Sequence, residues 1–231
     1  MKIEILHGIE GAKQAKGLTI IIDVFRAFTT SCYAIANGAT MILATGSLEQ
    51  AYDLKRQDPS RVLIGERDGY KCKGFDFANS PAEIVNENFI GKEIILTSSA
   101  GTQGLVNAVN ADEVITGSFV NVGAITHYVK YKKPEQISIV PLGYFGIKPS
   151  EEDLICAEYI SDMIKDYFRC IKKYQFRVLY HCRENVVSRI EKGSWHKDDL
   201  KYCLDFNHFS FVLRSTRLSD DCVVLNKENI W

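Results

Sequence analysis

The chain predicts an α/β fold: three α/β/α layers around a largely parallel, or mixed, sheet, with a C-terminal helical extension. Three observations predict it. Apolar, β-branched runs of strand length alternate with helix-like segments from residue 18 to residue 168. The runs are continuous rather than interrupted at every second position by polar residues, as in strands covered on both faces. Helix-capping residues stand where the helices should open.

LTIIIDV at 18–24 is the first such strand, with FRAFTTSCYAIANG at 25–38 as its helix. TMILAT (40–45) leads into SLEQAYDLKRQ (47–57), where Ser47 and Gln50 have capping-box spacing. RVLIGE (61–66) precedes a long loop that ends at Ser80-Pro81-Ala82-Glu83, a capping serine with proline at the first helical position and glutamate at the third. EIILTSS (93–99) with GTQGLVNAVN (101–110), DEVITGS (112–118) with FVNVGAITHYVKY (119–131), and QISIVPLG (136–143) with EEDLICAEYISDMIKDYF (151–168) repeat the pattern. After about Arg169 the periodicity weakens, and a last strand is expected at CVVLN (222–226). No proline- or glycine-rich linker separates this stretch, so 1–231 reads as one domain whose residues 170–231 form a less regular extension on the sheet.

Composition narrows the function. Hydrophobic residues make up 46% and charged residues 25%, ordinary globular values, and the net charge of -1 offers no field for nucleic acid or an anionic membrane. No segment approaches the ~20 apolar residues of a membrane span, and the N-terminus has no secretory apolar stretch, so a cytoplasmic protein is expected. Seven cysteines include no C-x-x-C pair, which argues against a disulfide framework or a structural zinc.

In open α/β sheets ligands bind beyond the carboxyl ends of the strands, so the residues that end each run are the candidates. Asp23 follows three isoleucines and stands three residues before Arg26; it can hold Mg²⁺, take a proton, or simply cap the next helix. Residues 65–81, GERDGYKCKGFDFANSP, mix acids, bases and glycines in a loop long enough to need a functional reason. Glu66, Asp68 and Asp76 offer hard oxygen ligands there, and Asn79 and Ser80 offer donors at a helix entry. TSSAGT (97–102) has the small residues that let backbone amides approach an anion, although a plain strand-to-helix turn has the same composition. Glu152 and Asp153 open a helix, where acids also suit the helix dipole. Cys72 and Cys156 are the candidates for an activated thiol.

Together DVFRAFTT (23–30), ANGA (36–39), GERDG (65–69), GFDFANSP (74–81), TSSAGT, GSFVN (117–121) and EDLICA (152–157) resemble the 2-phosphosulfolactate phosphatase family of coenzyme M biosynthesis. The resemblance implies a Mg²⁺-dependent hydrolase on a three-layer α/β fold that converts 2-phospho-3-sulfolactate to 3-sulfolactate and phosphate. On the matching motifs it implies catalytic roles for Asp23, Arg26, Glu66 and Arg67. Substrate binding falls to Asn79, Ser80, Ser98, Ser99, Gly101 and Thr102, and Mg²⁺ ligation to Asp23, Glu66, Asp76, Glu152 and Asp153. The expected partner is a small phosphorylated, sulfonated hydroxy acid, with a homodimer left open. Ala100 and Asp68 depart from the family pattern, so a non-catalytic binder of a phosphorylated or organic-acid metabolite on the same fold is the alternative.

Overall fold

The computed structural model describes residues 1–167 and 170–230, so the boundary expected near Arg169 lies outside the described residues. In chain order the elements are β1 (Lys2–Ile5), α1 (Gly8–Gln14), β2 (Leu18–Ile22), α2 (Ala27–Ala36), β3 (Met41–Thr45), α3 (Leu48–Gln57), β4 (Val62–Arg67), β5 (Tyr70–Lys71), α4 (Pro81–Ile84) and β6 (Glu93–Thr97). They continue with α5 (Gly101–Asn107), β7 (Glu113–Gly117), α6 (Val122–Lys132), β8 (Gln136–Pro141), α7 (Glu151–Ile164), α8 (Ile171–Glu191), α9 (Asp199–Cys203), β9 (Phe211–Ser219) and β10 (Cys222–Asn229).

The strands form a ten-stranded sheet in the order β1-β8-β2-β7-β9-β10-β3-β6-β4-β5. One parallel block comprises β1, β8, β2 and β7; another comprises β3, β6 and β4. The antiparallel β9–β10 hairpin joins them. The three-layer reading is visible within β2 itself. Ile20 and Ile22 pack into the cluster under α6, α7 and α8, whereas Ile21 packs with α2 and α5 on the other face. All three isoleucines are fully buried, which is why the run is continuously apolar.

Three antiparallel steps separate β7 from β3, so the two parallel blocks run in opposite directions. A flat sheet would put their carboxyl ends at opposite edges. Sheet twist of about 20–25° per strand accumulates to about 120–150° over the six steps from β2 to β4 and turns the second block's ends back toward the first. Helix α5 touches β2, β3, β6 and β10, and so packs against strands of both blocks and of the hairpin between them.

The C-terminal region is only partly the expected helical extension. Helices α8 and α9 are present, and CVVLN falls inside β10, but the hairpin sits in the middle of the sheet rather than on its outside. Val212, Leu213, Val223 and Leu225 are buried in the cores on the two faces. Among the described residues no helix is long and apolar enough to cross a membrane.

Truncation after Ser210 therefore removes the join between the blocks and strips β7 and β3 of hydrogen-bond partners. The truncated chain is expected to aggregate and show no cooperative thermal transition by circular dichroism. A monomeric, cooperatively melting product would contradict this placement of the hairpin.

Candidate active site

The turn after β2 brings Asp23 over the sheet. Its Oδ1 accepts the Ala27 N–H at 3.1 Å, so it does cap α2. Its Oδ2 faces Gly101, where an added Cβ would stand 2.7 Å from that oxygen and 2.7 Å from the Ala27 Cβ. Only glycine permits so close an approach of the β6–α5 turn.

Asp153, in the first turn of α7, accepts the Val24 N–H on Oδ1 at 2.8 Å and the Gly143 N–H on Oδ2 at 2.9 Å. One buried carboxylate thus ties together the exits of β2 and β8, which are neighbours in the sheet. Glu152 beside it is also buried and accepts the Cys182 thiol at 3.5 Å. The fourteen-residue α7 directs its positive dipole end at both acids.

Crowding of these carboxylates in a buried place disfavours their charged forms. Burial, opposed by the Ala27 hydrogen bond and reinforced by the charges of Glu66 and Glu152, lifts Asp23 from the ordinary 3.8 to about 7. Burial also raises Glu152, and burial followed by the charges of Glu152 and Asp23 raises Asp153 well above its ordinary value.

Glu66 brings a further carboxylate from the second block to this group and ties two turns of its own block together. Its Oε1 accepts the Ser99 N–H at 2.6 Å, and its Oε2 accepts the Gly69 N–H at 2.7 Å and the Ser99 hydroxyl at 3.1 Å. Arg26 lines the same cavity, but its charge is engaged. Nη1 donates to Asp199 at 2.6 Å, Nη2 donates to the Ser194 carbonyl at 3.2 Å, and the guanidinium lies 4.8 Å from the Trp195 ring centroid.

Asp23, Arg26, Glu66, Asn79, Ser99, Glu152 and Asp153 meet at one cavity. Asn79 is 2% exposed, and its amide oxygen has no hydrogen-bond partner. The other expected site residues do not line it. Asp76 is half-exposed, accepts the Leu63 N–H at 2.8 Å and lies 3.7 Å from Lys55, so it does not join the carboxylate group. Arg67 spends its fork on the carbonyls of Glu66 and Gly46 and on the Thr97 hydroxyl. Ser80 caps α4 and donates to Asp199 at 2.5 Å. Ser98 and Thr102 close the β6–α5 turn on each other, each side-chain oxygen accepting the other's N–H at 3.0 Å. Gly101 acts through its small size. Burial pushes both the Cys72 and Cys156 thiols above their ordinary range, and neither lines the cavity, which removes the thiol reading.

Four further lining residues, Tyr144, Asn185, Arg189 and Trp195, come from regions to which the sequence reading gave no role. Cys182, Asn185, Val186 and Arg189 follow i, i+3, i+4, i+7 spacing on α8, the available signal that they share one face.

Among the described residues no three His, Cys, Asp or Glu side chains are grouped as a ready metal shell. The donor set nevertheless suits Mg²⁺, which takes hard oxygens and commonly uses one or two protein carboxylates with water and phosphate completing its shell. Asp153 and Glu66 have both carboxylate oxygens held at 2.6–2.9 Å by backbone N–H groups, whereas Asp23 makes one such bond, to Ala27 at 3.1 Å, with its other oxygen facing the Gly101 backbone, and Glu152 accepts the Cys182 thiol.

Carboxylates that resist ionisation, beside the unmatched amide oxygen of Asn79 and the Arg189 guanidinium, which has no ion pair among the described residues, define a centre for chemistry on a small anion. Comparison with known proteins makes the class specific. The chain belongs to the 2-phosphosulpholactate phosphatase family, whose sequence model matches residues 4–217, and is thereby a phosphoric monoester hydrolase. A relative from Caldicellulosiruptor saccharolyticus, named "Probable 2-phosphosulfolactate phosphatase", is 35% identical over 212 residues, 88% of this chain and 86% of its own. A Carboxydothermus hydrogenoformans protein of the same name is 34% identical over 223 residues, 92% of each chain. One from Thermotoga petrophila, again so named, is 32% identical over 207 residues, 84% of this chain and 86% of its own.

A carboxyl whose pKa is higher folded than unfolded binds its proton more readily in the folded state. Its favourable contribution is complete below about pH 4 and is lost as pH rises toward about 7. Asp23→Asn removes that loss. In chelator-treated protein, urea denaturation is expected to show the variant gaining stability relative to the parent between pH 5 and pH 7.5. A difference that stays constant with pH would contradict the burial of an ionisable group at position 23.

Proposed function

We propose that this hydrolase acts on 2-phospho-3-sulfolactate, releasing phosphate with Mg²⁺ as cofactor. The convergence of Asp23, Glu152 and Asp153 carries the reading. Three buried acids within one another's field are poorly compatible with full ionisation, and a divalent cation relieves that repulsion. Asp23 and Glu152 would hold the ion. Asp153, fixed by Val24 and Gly143, and Glu66, fixed by Ser99 and Gly69, keep those two ligands in place. When bound, Mg²⁺ supplies neutralisation of the phosphate oxygens and acidification of a coordinated water.

The chain's own groups do the rest. Asn79 offers its unmatched amide oxygen to a hydroxyl or water in the cavity. Arg26, neutralised by Asp199, braces Trp195 and the Ser194 backbone as one wall. Water is the nucleophile in this reading. The Asp-x-Asp pair used by aspartyl-phosphate enzymes is absent because position 25 is phenylalanine, and Phe25 packs edge-on against Trp195 with ring centroids 5.2 Å apart.

The non-catalytic alternative rested on Ala100 and Asp68. Asp68 is exposed and does not line the cavity; it has a left-handed φ of 56° and donates its N–H to the Ser99 hydroxyl. Only Ala100 alters the cavity wall, and membership of a phosphatase family favours turnover.

Phosphate release from 2-phospho-3-sulfolactate should fall ~100-fold or more on adding EDTA and return with excess Mg²⁺. Turnover indifferent to the chelator would contradict the metal assignment. No phosphate release with Mg²⁺ present would contradict the substrate.

A further inference from the structure

We infer that Arg189, held by Asn185 and Tyr144, forms a separate subsite for the acidic group on the third carbon of the substrate, a sulfonate or a carboxylate. This rests on the phosphate-ester reading above and assigns the part of the substrate distant from the reacting phosphorus.

Two guanidinium groups flank Trp195. The Arg26 carbon lies 4.8 Å and the Arg189 carbon 5.7 Å from its ring centroid. Their charges are handled differently. Arg26 is fully buried against Asp199, which also accepts N–H and O–H bonds from Ser80, Ala82 and His196. Arg189 is half-buried and donates only Nε, to the Asn185 Oδ1 at 3.1 Å. Its Nη1 and Nη2 have no hydrogen-bond partner among the described residues, and no carboxylate there lies within ion-pairing distance of it.

The unpaired group is nonetheless held in place. Its carbon lies 5.3 Å from the Tyr144 ring centroid, and the Asn185 amide that receives Nε also donates to the Tyr144 hydroxyl. Nη1 lies beside the turn at Gly69, where an added Cβ would be 3.5 Å away. Two rings and one amide therefore orient the planar fork of a residue that lines the cavity. Such a fork matches the oxygens of a carboxylate, sulfonate or phosphate in a bidentate way, and a lysine does not reproduce it.

Why the spectator acid rather than the phosphate follows from charge. The phosphate gains its neutralisation at the Asp23–Glu152 side with the divalent ion. A substrate with a second acid adds negative charge that this side does not offset, and Arg189, whose field reaches Glu152 without forming an ion pair, is the one guanidinium of the cavity with no ion-pair partner among the described residues. The spectator acid keeps the same charge from ground state to transition state. Its contact therefore contributes uniform binding, and its loss should appear in KM more than in kcat.

Three esters test the assignment: 2-phospho-3-sulfolactate, 2-phosphomalate and 2-phospholactate, which carry a sulfonate, a carboxylate and a hydrogen on the third carbon. For the parent chain kcat/KM should be higher for one or both of the acidic esters than for 2-phospholactate, and which one leads identifies the acid. Arg189→Gln should shrink that preference about 10- to 100-fold, the effect of one charge-assisted contact, mainly through KM, and Arg189→Lys should restore part of it. An unchanged preference in the glutamine variant, with all three esters affected alike, would overturn the subsite. If the parent releases phosphate from none of them, the hydrolase reading fails separately. Calorimetric titration with 3-sulfolactate and lactate then still decides the subsite, because the parent must bind the sulfonate more tightly and the glutamine variant must not.

Discussion

The two hydrogen bonds accepted by the Asp153 carboxylate are the constraint on which the site depends. Parallel neighbours β2 and β8 leave the sheet side by side, and each exit has one N–H, that of Val24 and that of Gly143, with its hydrogen bond made to this carboxylate. Meeting that need from the first turn of α7 buries an acid beside Asp23 and carries Glu152 in with it. Burial of all three is the consequence, and it raises the proton affinity of each, with repulsion from neighbouring carboxylates adding to it at Asp23 and Asp153. A structural solution to strand ends thus creates a group of oxygens suited to a hard cation.

The other block of the sheet is joined to this group through small contacts rather than large ones. Gly101 allows the β6–α5 turn to touch Asp23, and Glu66 ties that turn to Gly69. From the far side, the 194–199 segment grips Arg26 through Asp199. A buried ion pair of this kind adds little net stability over an apolar pair, but loss of one partner costs about 3–5 kcal/mol, so it fixes orientation firmly. The active cavity is therefore built by three distant parts of the chain, and the C-terminal part contributes its cationic wall.

Much of this was legible in the sequence, and the reasons differ by residue. LTIII declared a strand covered on both faces because every position meets a core. Asp23, Glu152 and Asp153 were legible because they stand at ends of elements, where topology leaves little freedom. Asp76 and Arg67 misled because charge density in a loop does not reveal direction. Asp76 turns back to satisfy the Leu63 N–H, and Arg67 turns to the carbonyls of Glu66 in its own strand and of Gly46 just past β3. Ser80 was read as a ligand group and serves a cap and Asp199. Arg189 was hidden because its importance lies in a partner it lacks, and β9 because its apolar start gives way to exposed polar residues.

The central claim is that Asp23 and Glu152 share a divalent cation over the end of β2. A crystal structure of the protein with Mg²⁺ and the phosphate analogue vanadate tests it most directly. The account predicts an ion about 2.0–2.1 Å from an oxygen of each carboxylate, with water and vanadate filling the remaining positions. An ion bound at the Asp76 loop instead, or a cavity whose carboxylates meet only water at saturating Mg²⁺, would contradict it.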